Sequence, residues 1–304
     1  MVNRTLALNY ATIKATTKNK SIDYTLLEDE KIIDHLSKYS SLLEISIEDL
    51  TEIYTNIERD FSLLKESDLI VKKGDSNYPL KLASSKEAPY FLYIRGNLSL
   101  LDETLISVLG TKTPSSLALK EGKEAIESLI KNQFTIATSL EAGLATLSQV
   151  SALQQKVATV AFLDFPLTQN PYLKYQQLQT LIGVTGVLVT QFSPSEKYQR
   201  WNALKRNILM NEFADFTLLL EAQDGQGCVK QAEQFTHLNK ELFLLKTSVD
   251  NRSILWPRRL LKYDKTIVLN KPNQIGSLIK KRGKVVPLKQ QKNETHQLSL
   301  FDLS

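Results

Sequence analysis

Short, mostly apolar runs rich in β-branched and aromatic residues recur through the middle of this chain, at residues 105–109, 134–137, 157–162, 187–192, 216–220 and 242–245. Amphipathic helical stretches, such as residues 117–130 and 230–238, lie between most of them. A strand with one face in water alternates apolar and polar residues. A strand without that alternation is covered on both faces, and helical crossovers supply the cover. The pattern therefore predicts an α/β fold, a doubly wound, Rossmann-like and mostly parallel sheet over about residues 71–270, with residues 266–269 adding an edge strand.

Residues 1–70 read as a small helical domain. Leu26, Leu27, Ile32, Ile33, Leu36 and Tyr39 recur at helical spacing, as do Leu50, Ile53, Tyr54, Ile57, Phe61 and Leu64. Ser46, three residues ahead of Asp49, reads as a capping box opening the second of these helices. The first twenty residues, rich in Thr, Asn and Lys, read as partly loose. Residues 271–304 form a basic, then polar tail. Its run Lys280-Lys281-Arg282-Gly283-Lys284 suits either a solvated linker or a phosphate contact.

Composition narrows the class. A hydrophobic fraction of 42% and a charged fraction of 23% describe an ordinary soluble protein. The net charge of +5 mildly favours an anionic partner. The lone Cys228 rules out a disulfide framework and a cysteine-built zinc site, and His35, His237 and His296 lack metal-ligand spacing, so no metal or cofactor is expected. With neither a signal-peptide h-region nor an apolar run long enough to span a bilayer, a cytoplasmic protein away from membranes is the expectation.

Ligands of doubly wound sheets sit at the carboxyl ends of the strands. The first such loop, Gly110-Thr111-Lys112-Thr113-Pro114-Ser115, joins a glycine, hydroxyls and a cation to a helix start that favours an anion. It lacks the glycines of a Walker loop or a G-x-G-x-x-G fingerprint. The next, Thr138-Ser139-Leu140-Glu141-Ala142-Gly143, repeats hydroxyls and a glycine before a helix. After the fifth run comes Glu221-Ala222-Gln223-Asp224-Gly225-Gln226-Gly227-Cys228, whose Gly-Gln-Gly suits a phosphate cradle or a tight turn. Ahead of that run lie Lys197, Arg200, Trp201, Lys205, Arg206 and Asn207. Cations interleaved with an aromatic suit a strand whose phosphates need charge and whose bases need stacking. The competing arrangement packs Trp201 and Leu204 inside and leaves the charges solvated.

Near the end of the sequence stands Gln297-Leu298-Ser299-Leu300-Phe301, behind the polar spacer Gln290-Gln291-Lys292-Asn293-Glu294-Thr295. Its apolar residues suit a groove on a partner, with the Gln297 amide fixing register. The peptide resembles the motif by which bacterial replication and repair proteins hold the sliding clamp (beta subunit) of DNA polymerase.

The larger arrangement resembles the DNA-processing protein A (DprA, or Smf) family. Tyr78-Pro79-Leu80 and Ala88-Pro89-Tyr90-Phe91-Leu92-Tyr93-Ile94-Arg95-Gly96 are similar to its lead-in, and Leu109-Gly110-Thr111-Lys112 to its Val-Gly-Ser-Arg. Thr138-Ser139, Gly143 and Ala152-Leu153 fall on its Ser-Gly-Leu-Ala-x-Gly segment and beyond. Arg206-Asn207 matches the start of its Arg-Asn-Arg, Glu221-Ala222 follows the fifth strand as in the family, and Gly227 and Ala232 fit its Ser-Gly-Ser…Thr-Ala segment. The departures are Ala145 and Gln149 for its Asp and His, Ile208 for the second Arg, Gln226 and Cys228 for the serines, and Lys246-Thr247 for a Pro-Gly. The resemblance implies single-stranded DNA in a basic pocket, a homodimer and RecA recombinase as a partner, in recombination, DNA uptake or repair. The expected DNA-binding residues are Gly110, Thr111, Lys112, Ser139, Arg200, Lys205, Arg206 and Asn207, and the expected dimer contact is residues 242–245 with the preceding helix. Because the two titratable positions of the second segment are Ala145 and Gln149, a noncatalytic protein is expected. The alternatives are a clamp-tethered adaptor without DNA binding, and a Rossmann-like protein that binds or cleaves a nucleotide derivative, with Glu221 and Glu233 as its carboxylates.

Overall fold

The computed structural model describes residues 2–17 and 27–282. Leu26, the clamp-type motif at residues 297–301 and the Gly283-Lys284 end of the basic run lie outside the described residues.

One nine-stranded sheet organises the chain: β1 (Leu69–Lys72), β2 (Phe91–Gly96), β3 (Leu105–Leu109), β4 (Thr135–Ser139), β5 (Thr159–Phe162), β6 (Val187–Thr190), β7 (Phe216–Leu219), β8 (Glu241–Leu245) and β9 (Thr266–Leu269). The spatial order is β1-β2-β6-β5-β4-β3-β7-β8-β9. From β6 to β9 every pairing is parallel, and β2 joins β6 antiparallel, with β1 antiparallel beyond it. All six apolar runs become strands of the parallel part, and residues 266–269 form its edge. The run at 242–245, expected at a dimer contact, is an interior strand paired on both sides and buried at Leu242–Leu245. The strand itself therefore offers no surface to a second copy, whereas the preceding helix, at residues 227–236, keeps Lys230 exposed.

The helices are α1 (Val2–Thr16), α2 (Leu36–Leu43), α3 (Ile47–Ser62), α4 (Ser116–Lys131), α5 (Leu144–Gln154), α6 (Gln176–Thr185), α7 (Asn202–Phe213), α8 (Gly227–Thr236), α9 (Lys246–Asp250), α10 (Trp256–Leu260) and α11 (Ile275–Lys281). One face of the sheet packs Leu109, Phe162 and Leu244 against Met210 and Phe213 of α7, Phe235 of α8 and Trp256 of α10. The opposite face packs Ile106, Val108 and Phe243 against Ile126 and Leu129 of α4, Leu144 of α5 and Ile279 of α11. A third cluster carries Tyr54 and Phe61 of α3, Ala7 and Ala11 of α1, and Ile182 of α6 onto Tyr93 and Leu188. Covered on both sides, β3 and β4 are buried at every residue, which is why neither shows the apolar–polar alternation of a half-exposed strand, and buried Thr138 donates its hydroxyl to the Val108 carbonyl.

Two expectations change. The N-terminal stretch is not loose: residues 2–16 form α1, with Leu6, Ala7, Leu8, Ala11 and Ile13 buried. The basic run is not a linker at its start, since Lys280 and Lys281 occupy the last turn of α11, where cations oppose the helix dipole, and Arg282 caps it and pairs with Glu241. Ser46 does cap α3, accepting the Asp49 backbone N–H at 3.0 Å while its hydroxyl donates to the Asp49 carboxylate at 2.7 Å.

Candidate functional site

β3 and β7 are neighbours, yet the chain builds β4, β5 and β6 outward on one side and β8 and β9 on the other. Loops diverge at such a switch point and leave a crevice at the strand ends. A cavity of about 300 Å³ opens there. Gly110 to Thr113 after β3 form one wall, Ser139, Glu141 and Ala142 after β4 a second, and Arg206, Asn207 and Met210 of α7 a third, while the first turn of α8 closes it with Gln226, Gly227 and Cys228.

Gly143 locks two of these loops together. Its φ is +77°, and a Cβ there would sit 2.3 Å from the Thr111 carbonyl oxygen and 2.6 Å from the Lys112 carbonyl carbon. The next residue, Leu144, donates its backbone N–H to that same Thr111 oxygen at 3.2 Å. Gly143→Ala thus meets both an unfavourable backbone region and immovable backbone atoms, and should cost about 3 kcal/mol or more, read as a fall in melting temperature. Gly225, at φ +83° with nothing within 4 Å of where a Cβ would stand, is the control. Gly225→Ala should cost only about 1 kcal/mol; equal losses for the two would mean the interlock is not tight.

The charge arrangement was not legible beforehand. Arg206, 4% exposed, is paired on two sides, its Nη2 3.0 Å from Glu141 Oε2 and its Nη1 3.7 Å from Asp164 Oδ2. Its Nε and Nη2 also donate to the Asn207 side-chain oxygen at 3.1 and 2.8 Å. Glu141 continues to Lys112, whose Nζ lies 2.7 Å from Oε1 and whose side chain is 64% exposed. Burial by itself raises the Glu141 carboxyl, but Arg206 and Lys112 together overcome it and hold it below the ordinary carboxylate value. Asp164 goes the other way: burial raises it, Arg206 only partly offsets this, and Glu141 adds to the rise. Two cations thus face two carboxylates, and the interior of the cavity is close to charge-balanced.

Gly110, Thr111, Lys112, Ser139, Arg206 and Asn207 all come together at this cavity, while Arg200 and Lys205 are exposed and do not line it. The anion expected at the start of α4 is supplied by the protein itself, because Glu221 accepts the Ser115 backbone N–H at 2.8 Å and the Ser115 hydroxyl at 2.6 Å. The other candidate carboxylate, Glu233, pairs with Arg259 at 2.8 Å on the surface. Neither lines the cavity, so the nucleotide-cleaving alternative loses the residues assigned to it. Gln149 is buried in structure-holding bonds, donating to the Val160 carbonyl at 3.2 Å and accepting from Thr159 Oγ1 at 2.7 Å. Cys228 lines the cavity, but burial pushes its thiol up to about 11, leaving it a poor nucleophile at neutral pH. Trp201 and Leu204 are not packed inside: they are 63% and 51% exposed. Sequence reasoning missed Glu141 and Asp164, though a carboxylate just past a strand end, as at Glu221, was the available signal. Among the described residues no cluster of His, Cys, Asp and Glu could hold a metal ion, and no helix is long and apolar enough to cross a membrane.

Fold and crevice define a doubly wound α/β protein with a cleft at its switch point. The chain belongs to the DNA recombination-mediator protein A family, which it matches over residues 69–279. It is 25% identical over 175 residues to the DNA processing protein DprA of Streptococcus pneumoniae, covering 58% of this chain and 62% of that protein. It is 24% identical over 222 residues to Protein Smf of Escherichia coli, covering 72% and 59%. The chain thus spans about three-fifths of these relatives. Among solved structures, the S. pneumoniae DNA processing protein A superposes with a TM-score of 0.68 at 18% identity, over 90% of this chain and 97% of that one. DNA processing protein A of Helicobacter pylori, a protein with a single-stranded DNA binding mode, superposes with a TM-score of 0.63 at 18% identity, over 71% and 96%. At these identities the two structures establish the fold.

Proposed function

We propose that this chain is a noncatalytic DNA-binding protein of recombination, DNA uptake or repair, which holds single-stranded DNA across the mouth of the switch-point cavity. Membership of the family and the H. pylori protein's binding of single-stranded DNA support this reading. The observation that carries it is the charge asymmetry of the site. Inside, Arg206 is paired with Glu141 and Asp164 and Lys112 with Glu141, whereas Arg200 and Lys205, just before and in the first turn of α7, are exposed with no carboxylate partner among the described residues. A phosphodiester strand is an anion that runs past a pocket as much as into it, and exposed cations on the segment leading into α7 match it. The first turn of α8 adds its N–H dipole at the same opening. A noncatalytic role agrees with a cavity carboxylate, Glu141, held ionised by two cations and so ill suited to donate a proton. We extend the reading to a homodimer that passes the strand to RecA, and to tethering on the sliding clamp through residues 297–301.

Fluorescence anisotropy with a labelled oligothymidine tests the surface. Arg200→Ala/Lys205→Ala is expected to weaken binding about tenfold at moderate salt and to lower the slope of log K against log salt by about 1.4, at about 0.7 for each phosphate no longer neutralised. Duplex of the same length should bind more weakly. Unchanged affinity and slope in the double variant would remove this surface from the binding site.

A further inference from the structure

The two cations that line the cavity are already engaged by a carboxylate of the chain itself. Glu141, on the loop after β4, bridges them. Its Oε1 lies 2.7 Å from Lys112 Nζ, and its Oε2 lies 3.0 Å from Arg206 Nη2 and accepts the Ser139 hydroxyl at 3.1 Å. An ammonium, a guanidinium and a hydroxyl converging on one oxyanion are the kind of donor set that holds a phosphate. The two carboxylates facing Arg206 differ in place. Glu141 lines the cavity, whereas Asp164, 2% exposed, is not among its lining residues. Arg206 would therefore keep a countercharge if Glu141 were neutralised. Its Nη1, buried and without a hydrogen bond among the described residues, also has donor capacity left.

We propose that Glu141 is a built-in competitor for the strand's phosphates: its carboxylate fills a phosphate position inside the cavity, an autoinhibitory contact that leaves the DNA to the exposed Arg200 and Lys205. The inference rests on the DNA-binding reading above and adds the regulation of that site. A phosphate entering beside an ionised Glu141 would meet like charge in a mostly buried setting, where water screens repulsion poorly. Glu141 is also part of the same chain, so it occupies the position at an effective concentration that a phosphate from solution must overcome. Orientation of Arg206 alone would not account for Lys112, which reaches Glu141 from a different loop while its own side chain stays 64% exposed.

A double-mutant cycle in the full chain tests the competition, with oligothymidine binding measured over a range of salt. Glu141→Gln keeps an oxygen to accept from Arg206 and removes the charge. It should bind about tenfold more tightly, with a salt slope steeper by about 0.7 for each phosphate newly neutralised. Lys112→Ala should leave the parent's affinity and slope nearly unchanged, because Glu141 already occupies that ammonium. In the Glu141→Gln background the same Lys112→Ala change should cancel most of the gain. A mere change in net charge would instead give additive effects, and additivity overturns the proposal. Affinity in Glu141→Gln equal to or below the parent's, at an unchanged melting temperature, also overturns it and leaves the DNA-binding reading intact. If Glu141→Gln does not fold, Lys112→Ala alone decides. A parent that loses affinity and one phosphate's worth of slope with Lys112 already has a phosphate there, and Glu141 is no competitor. A parent that binds no single-stranded DNA removes both readings together.

Discussion

Replacing Arg206 with alanine is expected to destabilise the fold by about 3–5 kcal/mol, because it leaves two buried carboxylates without their cation. Its side chain is 4% exposed, and those of its partners Glu141 and Asp164 are 14% and 2% exposed, so water cannot take over the guanidinium's role. A fall in melting temperature of about 10 °C should follow. The pH dependence distinguishes this mechanism from lost packing. In the parent, Glu141 is held below its ordinary value, so its contribution is present above that value and lost as pH falls through the lower folded one. Asp164, raised by burial, opposes it, costing stability above its folded value and relieved by acid. Without Arg206 both carboxyls rise, and the folded variant takes up protons more readily than the unfolded chain. Its deficit against the parent should therefore shrink as pH falls from neutral to mildly acidic. Arg206→Lys, which keeps a charge but loses the fork, should fall between the two. Urea unfolding at both pH values decides the matter: a loss below about 1 kcal/mol that ignores pH would mean the cluster is solvated.

The parallel core was legible because burial on both faces erases alternation, as β3 shows with every residue buried. α1 was not, because its polar residues imitate a loop in composition while being buried and satisfied. Asn9 donates to the carbonyls of Glu28 and Glu30 at 2.9 and 2.8 Å and accepts the Ile32 N–H at 3.2 Å, and Thr12 returns its hydroxyl to the Leu8 carbonyl at 3.0 Å. β2 hid within a proline-flanked lead-in, and its place beside β6 depends on an antiparallel pairing across about a hundred residues that local pattern does not encode. Helix ends were obscured for a similar reason, since α4 and α5 are followed not by glycine but by Gln133 and Lys156 in the left-handed region. At the site, the cations could be seen in the sequence and their consequences could not. Which of Lys112, Arg200, Lys205 and Arg206 is free depends on Glu141 and Asp164, which reach α7 from the ends of two other strands.

The double substitution Leu300→Ala/Phe301→Ala is expected to abolish binding to the host's sliding clamp. In the proposed contact Leu300 and Phe301 fill an apolar pocket, Leu298 lies beside them, and the Gln297 amide bonds at the rim. A short peptide loses ordering entropy on binding, so the parent interaction should be micromolar, about −8 kcal/mol. Losing two buried anchors at about 2 kcal/mol each removes half of that and carries the dissociation constant to the millimolar range. In that contact the anchors belong to the partner's pocket, so melting temperature and binding of oligothymidine should not change. A motif that instead packs on its own chain reverses both outcomes: the variant melts earlier, and the parent has no clamp interaction to lose. Calorimetric titration of a peptide spanning residues 295–304 into the clamp separates the two. Absence of heat at high micromolar peptide, together with a lowered melting temperature in the variant, would assign Leu300 and Phe301 to the fold rather than to a partner.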